Sequence, residues 1–182
     1  MSERAAYDIR LALSQAMTTA VHANAVPEGV VVQVIAACPP KDREALAKKV
    51  AKLEKKIFPS SEAFDYTVEL KKKNIGLVLA SREGSDDLVG YLVFQRLKSQ
   101  AWLHKLATIE QERGKGIARC LIHSFCQQMK KGGCRTVVLW VDEARNPARA
   151  LYASCGFQQI ERLVDYYGPG RTALKMELAI VE

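Results

Sequence analysis

No apolar run in this chain approaches the roughly 20 residues that a membrane-spanning helix needs, because charged side chains interrupt every hydrophobic stretch. The first residues lack a secretory pattern for the same reason: Glu3, Arg4, Asp8 and Arg10 break any apolar core. Their acids also weigh against a transit peptide. Histidine is scarce, with His22, His104 and His123 too scattered to share a metal. The five cysteines, Cys38, Cys120, Cys126, Cys134 and Cys155, are odd in number and form no C-x-x-C pair. A disulfide framework and a structural zinc site are thereby disfavoured. The expectation is a protein without metal in a reducing compartment, the cytoplasm or the nucleus.

What is present suits one globular domain. The chain has 182 residues, 48% hydrophobic and 26% charged, enough to enclose a full core. The net charge of +7 is open to three readings: a nucleic-acid surface, steering of an anionic cofactor, or a solvated face. The first lacks support, since no nucleic-acid motif and no basic–aromatic interleaving occurs, so no nucleic-acid partner is expected, and no membrane.

Periodicity orders the elements. Residues 1–28 read as an Ala-rich helical extension, and 29–182 as the folded domain. Gly29 to Ala37 is a β-branched run and predicts a strand. Pro39-Pro40 punctuates the chain, Asp42 is a candidate helix cap, and Leu46, Val50, Leu53 and Ile57 then mark one helix face up to Phe58-Pro59. Strands are predicted over 75–80 and 88–94, joined by a polar turn, and over 102–109. Residues 115–131 predict a helix with Ile117, Leu121, Phe125 and Met129 on one face, stopped at Gly132-Gly133. A buried strand over 136–141 follows, then a short helix opened by Asn146-Pro147, with Asn146 as cap, and closed by Gly156. Two last strands flank Gly168-Pro169-Gly170. This alternation predicts an α/β fold, a mixed sheet with helices on both faces.

The segment Arg113-Gly114-Lys115-Gly116-Ile117-Ala118 lies between a strand and a helix. Glycines let backbone N–H groups approach a ligand, and a helix N-terminus adds a positive dipole end. A pyrophosphate is the natural guest. A P-loop is excluded because Ile117, not lysine, follows Gly116, and the dinucleotide fingerprint fails at Arg119. What remains is [QR]-x-x-G-x-[GA], and downstream Ala148 to Phe157 reads A-x-x-L-Y-x-x-x-G-F. Together these segments resemble the GNAT (GCN5-related N-acetyltransferase) superfamily over roughly Ile75 to Leu178. The stretches Asp165 to Met176 and Ile57 to Ser60 are most similar to protein N-terminal and ribosomal-protein alanine acetyltransferases.

The resemblance implies acetyl-CoA as co-substrate and direct transfer of acetyl to an amine, on a protein or peptide (an N-terminal α-amine or a lysine) or on a small molecule. A non-catalytic acetyl-CoA-binding module is the reading outside enzymology. Backbone groups of Leu106, Ala107 and Thr108 would hold the thioester end. The loop from Arg113 through Gly114, Lys115, Gly116 and Ile117 to Ala118 would cradle the pyrophosphate. Tyr152 matches the tyrosine that protonates the departing thiolate. Phe58, Pro59, Trp140, Tyr166 and Tyr167 would border the acceptor. Two departures stand out. Arg145 replaces a common asparagine and could pair with a phosphate. Trp140 occupies a position where relatives carry histidine or glutamate, so the base is vacant. Strand alternation suggests His104 for it: Trp102, His104, Leu106 and Thr108 would share one face, with Lys105 on the other. Asp142 is the runner-up.

Overall fold

The computed structural model describes residues 26–59, 64–85 and 87–180. The N-terminal helix expected over 1–28 falls almost wholly outside them. Seven strands form one sheet in the order β1-β2-β3-β4-β5-β7-β6. They are β1 (Val30–Val34), β2 (Ile75–Arg82), β3 (Leu88–Leu97), β4 (Gln100–Thr108), β5 (Thr136–Asp142), β6 (Gln158–Leu163) and β7 (Ala173–Ala179). All neighbours run antiparallel except β4 and β5. The helices are α1 (Pro40–Ile57), α2 (Tyr66–Glu69), α3 (Ile117–Lys131) and α4 (Asn146–Ser154). The α/β architecture with helices on both faces is the one expected.

Each face of the sheet has its own core. On one side Ile117, Leu121, Phe125 and Met129 of α3 pack on Val78, Leu92, Phe94, Leu103, Val137 and Leu139. The i, i+4 spacing places these four on a single helix stripe. Phe125 is fully buried, which stabilises by about 1.5–3 kcal/mol. On the other side α1 and α2 cover Leu77, Leu79, Tyr91 and Val93. Gly76 is required on the α3 side, since a Cβ would sit 2.4 Å from the Phe94 ring.

Several boundaries differ from the sequence reading. β1 ends at Val34 and tightens into a 3-10 turn over Ile35–Ala37. α1 starts at Pro40, so Pro39 is its cap and Asp42 lies in the first turn, where its charge still favours the helix dipole. Arg145, not Asn146, caps α4. The buried stripe of α1 consists of Ala47, Val50 and Glu54, one step round from the apolar face expected. The four-residue α2 was not foreseen, and Asp65 caps it by accepting from the N–H groups of Thr67 and Val68. Among the described residues no helix is long and apolar enough to cross a membrane.

Candidate active site

The ladder between parallel strands β4 and β5 stops at Leu103 and Leu139, although β4 continues to Thr108 and β5 to Asp142. Two adjoining cavities open where the ladder ends. One, of about 830 Å³, is lined by Leu106, Ala107 and Thr108 of β4, by Arg113, Gly114, Gly116, Ile117 and Ala118, and by α4. The other, of about 510 Å³, is lined by His104, Lys105, Trp140, Asp142, Tyr167 and Arg171. Phe58, Leu106, Arg145, Ala148 and Tyr152 belong to both walls.

The glycine loop is built locally. Gly114 and Gly116 have φ of 77° and 85°, values that cost other residues about 1–2 kcal/mol. Gly116 starts α3 with no side-chain cap, so the helix's first N–H groups face the cavity end of the dipole. Glu112, which sequence reasoning missed, anchors the loop from within the lining of the larger cavity. It is buried and pairs with Arg82 and with Lys115, whose Nζ lies 3.0 Å away. Lys115 is therefore turned toward Glu112 and does not line either cavity. The Thr108 hydroxyl is buried without a hydrogen-bond partner among the described residues.

Tyr152 is buried on α4 against Phe157. Burial first, and the nearby Tyr167 hydroxyl second, push its pKa up to about 12, so the phenol keeps its proton at neutral pH.

Alternation along β4 breaks at His104. Val93 faces Lys105 but the next residue, Phe94, faces Leu103, so His104 is the extra residue of a β-bulge. Side chains beyond the bulge change sides. Ala101 and Leu103 enter the α3 core, whereas Ala107 enters the α1 core and Leu106 packs on the α3 side. Lys105 points toward α1 and the smaller cavity, not away from it. Leu106 does not share the face of Trp102. His104 nevertheless lines the smaller cavity, with Nε2 3.3 Å from Gln95 Oε1. Desolvation of the ring lowers its pKa, partly opposed by Glu69.

Asp142 is already engaged. Its Oδ1 accepts from the Ala144 N–H at 3.0 Å, and its Oδ2 from Arg171. The Ala144 hydrogen bond and then Arg171, against some desolvation, hold its carboxyl below the usual aspartate range. That makes it a weak base. Trp140 stacks on Tyr166 at 5.0 Å, and Tyr167 packs edge-on to Tyr166. Tyr167 reaches the cavity, while the half-exposed Tyr166 and the exposed Pro59 stand outside its lining.

A further cluster was not legible in the sequence. Glu54 of α1 accepts at Oε1 from the Phe64 N–H (2.9 Å) and Lys105 Nζ (2.8 Å), and at Oε2 from the hydroxyls of Tyr66 and Tyr91. Lys105 Nζ also lies 4.8 Å from the Phe58 ring centroid. A glutamate amid helix lysines gives no signal of burial. Among the described residues no cluster of His, Cys, Asp or Glu could hold a metal.

Fold and cleft together define an α/β domain with a glycine loop and a helix N-terminus at the mouth of a split sheet. Residues 45–157 match the model of the acetyltransferase (GNAT) family, and the chain belongs to that family. Among curated proteins it is 33% identical over 79 residues to N-alpha-acetyltransferase MAK3 of Arabidopsis thaliana, covering 43% of this chain and 42% of that one. It is 29% identical over 83 residues to [Ribosomal protein bS18]-alanine N-acetyltransferase of Haemophilus influenzae, covering 46% and 56%. The chain thus spans about half the length of the curated relatives it matches. The solved ribosomal-protein-S18-alanine N-acetyltransferase of Escherichia coli superposes with a TM-score of 0.68 at 19% identity, over 84% of this chain and 95% of that one. An aminoglycoside 6'-N-acetyltransferase from Enterococcus faecium does so at 0.70 and 16%, over 84% and 98%. At such identities the likeness is one of fold.

Proposed function

We propose that the chain is an acetyl-CoA-dependent N-acetyltransferase that transfers acetyl to a protein or peptide amine by direct attack. The domain comprises residues 29–182, with 1–28 as an extension. The observation that carries this reading is Tyr152: its protonated phenol stands in the wall common to both cavities. A donor in one cavity and an amine in the other would meet beside it.

The larger cavity suits coenzyme A. Its lining includes Arg113, Arg119 and Arg145 for phosphates, and nothing lies within 4 Å of where a Cβ would stand on Gly114 or Gly116. The partnerless Thr108 hydroxyl supplies one more polar contact. The thioester brings an acyl carbon already activated for attack. The amine nitrogen forms the new C–N bond as the C–S bond breaks, and Tyr152 gives its proton to the sulfur. His104 takes the proton that the amine loses. In the tautomer where Nε2 donates to Gln95 Oε1, Nδ1 carries the lone pair for this.

The peptide reading draws support from the curated relatives' names and from the smaller cavity, whose lining holds Lys105 and Arg145 beside the Arg171–Asp142 ion pair. Polyamines and aminoglycosides, all polycations, would be repelled there. The five free thiols support a reducing compartment, the cytoplasm. Thiol release and product mass, measured with acetyl-CoA against a peptide library and a polyamine and aminoglycoside panel, test the proposal. Acetylated peptides are expected; products only from the small amines would overturn the acceptor assignment.

A further inference from the structure

The charge of the smaller cavity is a consequence of the bulge. Without the extra residue at His104, Lys105 would face the α3 core. With it, the Lys105 side chain lines the cavity and is 13% exposed. Its counter-ion lies behind it: the Glu54 side chain is 4% exposed and is not part of the cavity wall. Four donors from three parts of the chain share that carboxylate. The cavity therefore meets the positive end of the pair, and the Phe58 ring below holds the ammonium at its edge.

Arg171 and Asp142 form an ion pair within the wall and offset each other, Asp142 also accepting from the Ala144 N–H. Arg145 is the third basic side chain of the lining. In a cleft walled by protein, like charges are repelled and opposite charges favoured more strongly than in water.

We infer that Lys105 is a specificity-determining residue, and that it selects acceptors carrying a carboxylate close to the reacting amine over acceptors carrying a second cation. The inference rests on the acetyltransferase reading above. The carboxylate could come from an Asp or Glu side chain at a peptide N-terminus or from the α-carboxylate of a free amino acid; the peptide reading favours the side chain.

The experiment compares kcat/KM for amidated peptides that differ only in their first residue, Asp, Ala or Lys, with free aspartate as a fourth acceptor. The wild type is expected to favour the Asp peptide over the Lys peptide by at least about tenfold, an electrostatic difference of about 1.4 kcal/mol. Free aspartate as the best acceptor would move the carboxylate to the amino acid itself and keep the role of Lys105. Lys105→Met should bring the Asp-to-Lys ratio to within about threefold of unity, and Lys105→Arg should retain the preference. Because Lys105→Met leaves Glu54 without its cation, Glu54→Gln/Lys105→Met provides a second neutral variant with the same expected ratio. A merely structural role would lower all acceptors alike and leave the ratio unchanged. An unchanged ratio, or a wild type indifferent to the first residue, overturns the inference while the transferase reading stands. No acetylated product from any acceptor overturns both.

Discussion

Arg171 donates to Asp142 Oδ2 from Nε at 3.0 Å and from Nη2 at 2.8 Å, and its guanidinium also lies 5.3 Å from the Tyr167 ring centroid. The end of β5 is thereby tied to the hairpin that brings Tyr167 into the smaller cavity. Asp142→Asn should weaken that tie, raising KM for the acceptor by roughly tenfold with little change in acetyl-CoA affinity. The same pair should show in stability. A carboxyl held below its unfolded value stabilises the fold above about pH 3.9, and the contribution disappears as pH falls through the lowered value. Thermal unfolding should therefore show Asp142→Asn less stable than wild type at pH 7, with a smaller gap at about pH 3. A gap of equal size at both would count against the pair.

Tyr152→Phe removes one hydroxyl from the wall between the cavities. It should lower kcat by about 10²-fold, the usual scale of acid catalysis, and leave the calorimetric Kd for acetyl-CoA nearly unchanged. With a pKa near 12, the wild-type phenol should produce no descending limb between pH 6 and about pH 9. Full activity in the phenylalanine variant would reduce Tyr152 to a packing residue.

His104→Ala should cost at least about tenfold in kcat/KM at pH 7, partly recovered at higher pH as free amine becomes available. Desolvation lowers the imidazole pKa, so the ascending limb attributable to this group should lie below the ordinary value of about 6.5. At pH 7 the ring is then already neutral and able to accept a proton. A pH profile identical in the two enzymes would sink the assignment and leave ordered water as the base.

Two substitutions at Gly116 separate strain from charge. A Cβ there meets nothing within 4 Å, but φ is 85°. Gly116→Ala should lose about 1–2 kcal/mol of stability and little acetyl-CoA affinity. Gly116→Glu should lose at least about 100-fold in affinity, roughly 2.7 kcal/mol, because a carboxylate would stand where the pyrophosphate is expected. Equal calorimetric affinities for the two variants would mean that the loop does not hold the phosphates.

The sequence by itself determined the parts whose causes are local. The glycines at 114 and 116, the i, i+4 stripe of α3 and the run from Ala148 to Phe157 are contiguous, and turn and helix geometry depend on near neighbours. The position of Tyr152 on a short helix after β5 was legible for that reason. Tertiary structure alone decided which way β4 faces beyond residue 104. Strand alternation has a period of two, so one unpaired residue inverts every side chain after it. That residue is identified by the pairing with β3, which shifts between Val93 and Phe94. The same holds for the ion pairs. Lys105 meets Glu54 across 51 residues of chain, and Arg171 meets Asp142 across 29. Glu54 reads from the sequence as one more surface charge on a lysine-rich helix; it is buried because two tyrosines, a backbone N–H and a lysine from three other parts of the fold converge on its carboxylate, which satisfies a charge that could not otherwise leave water.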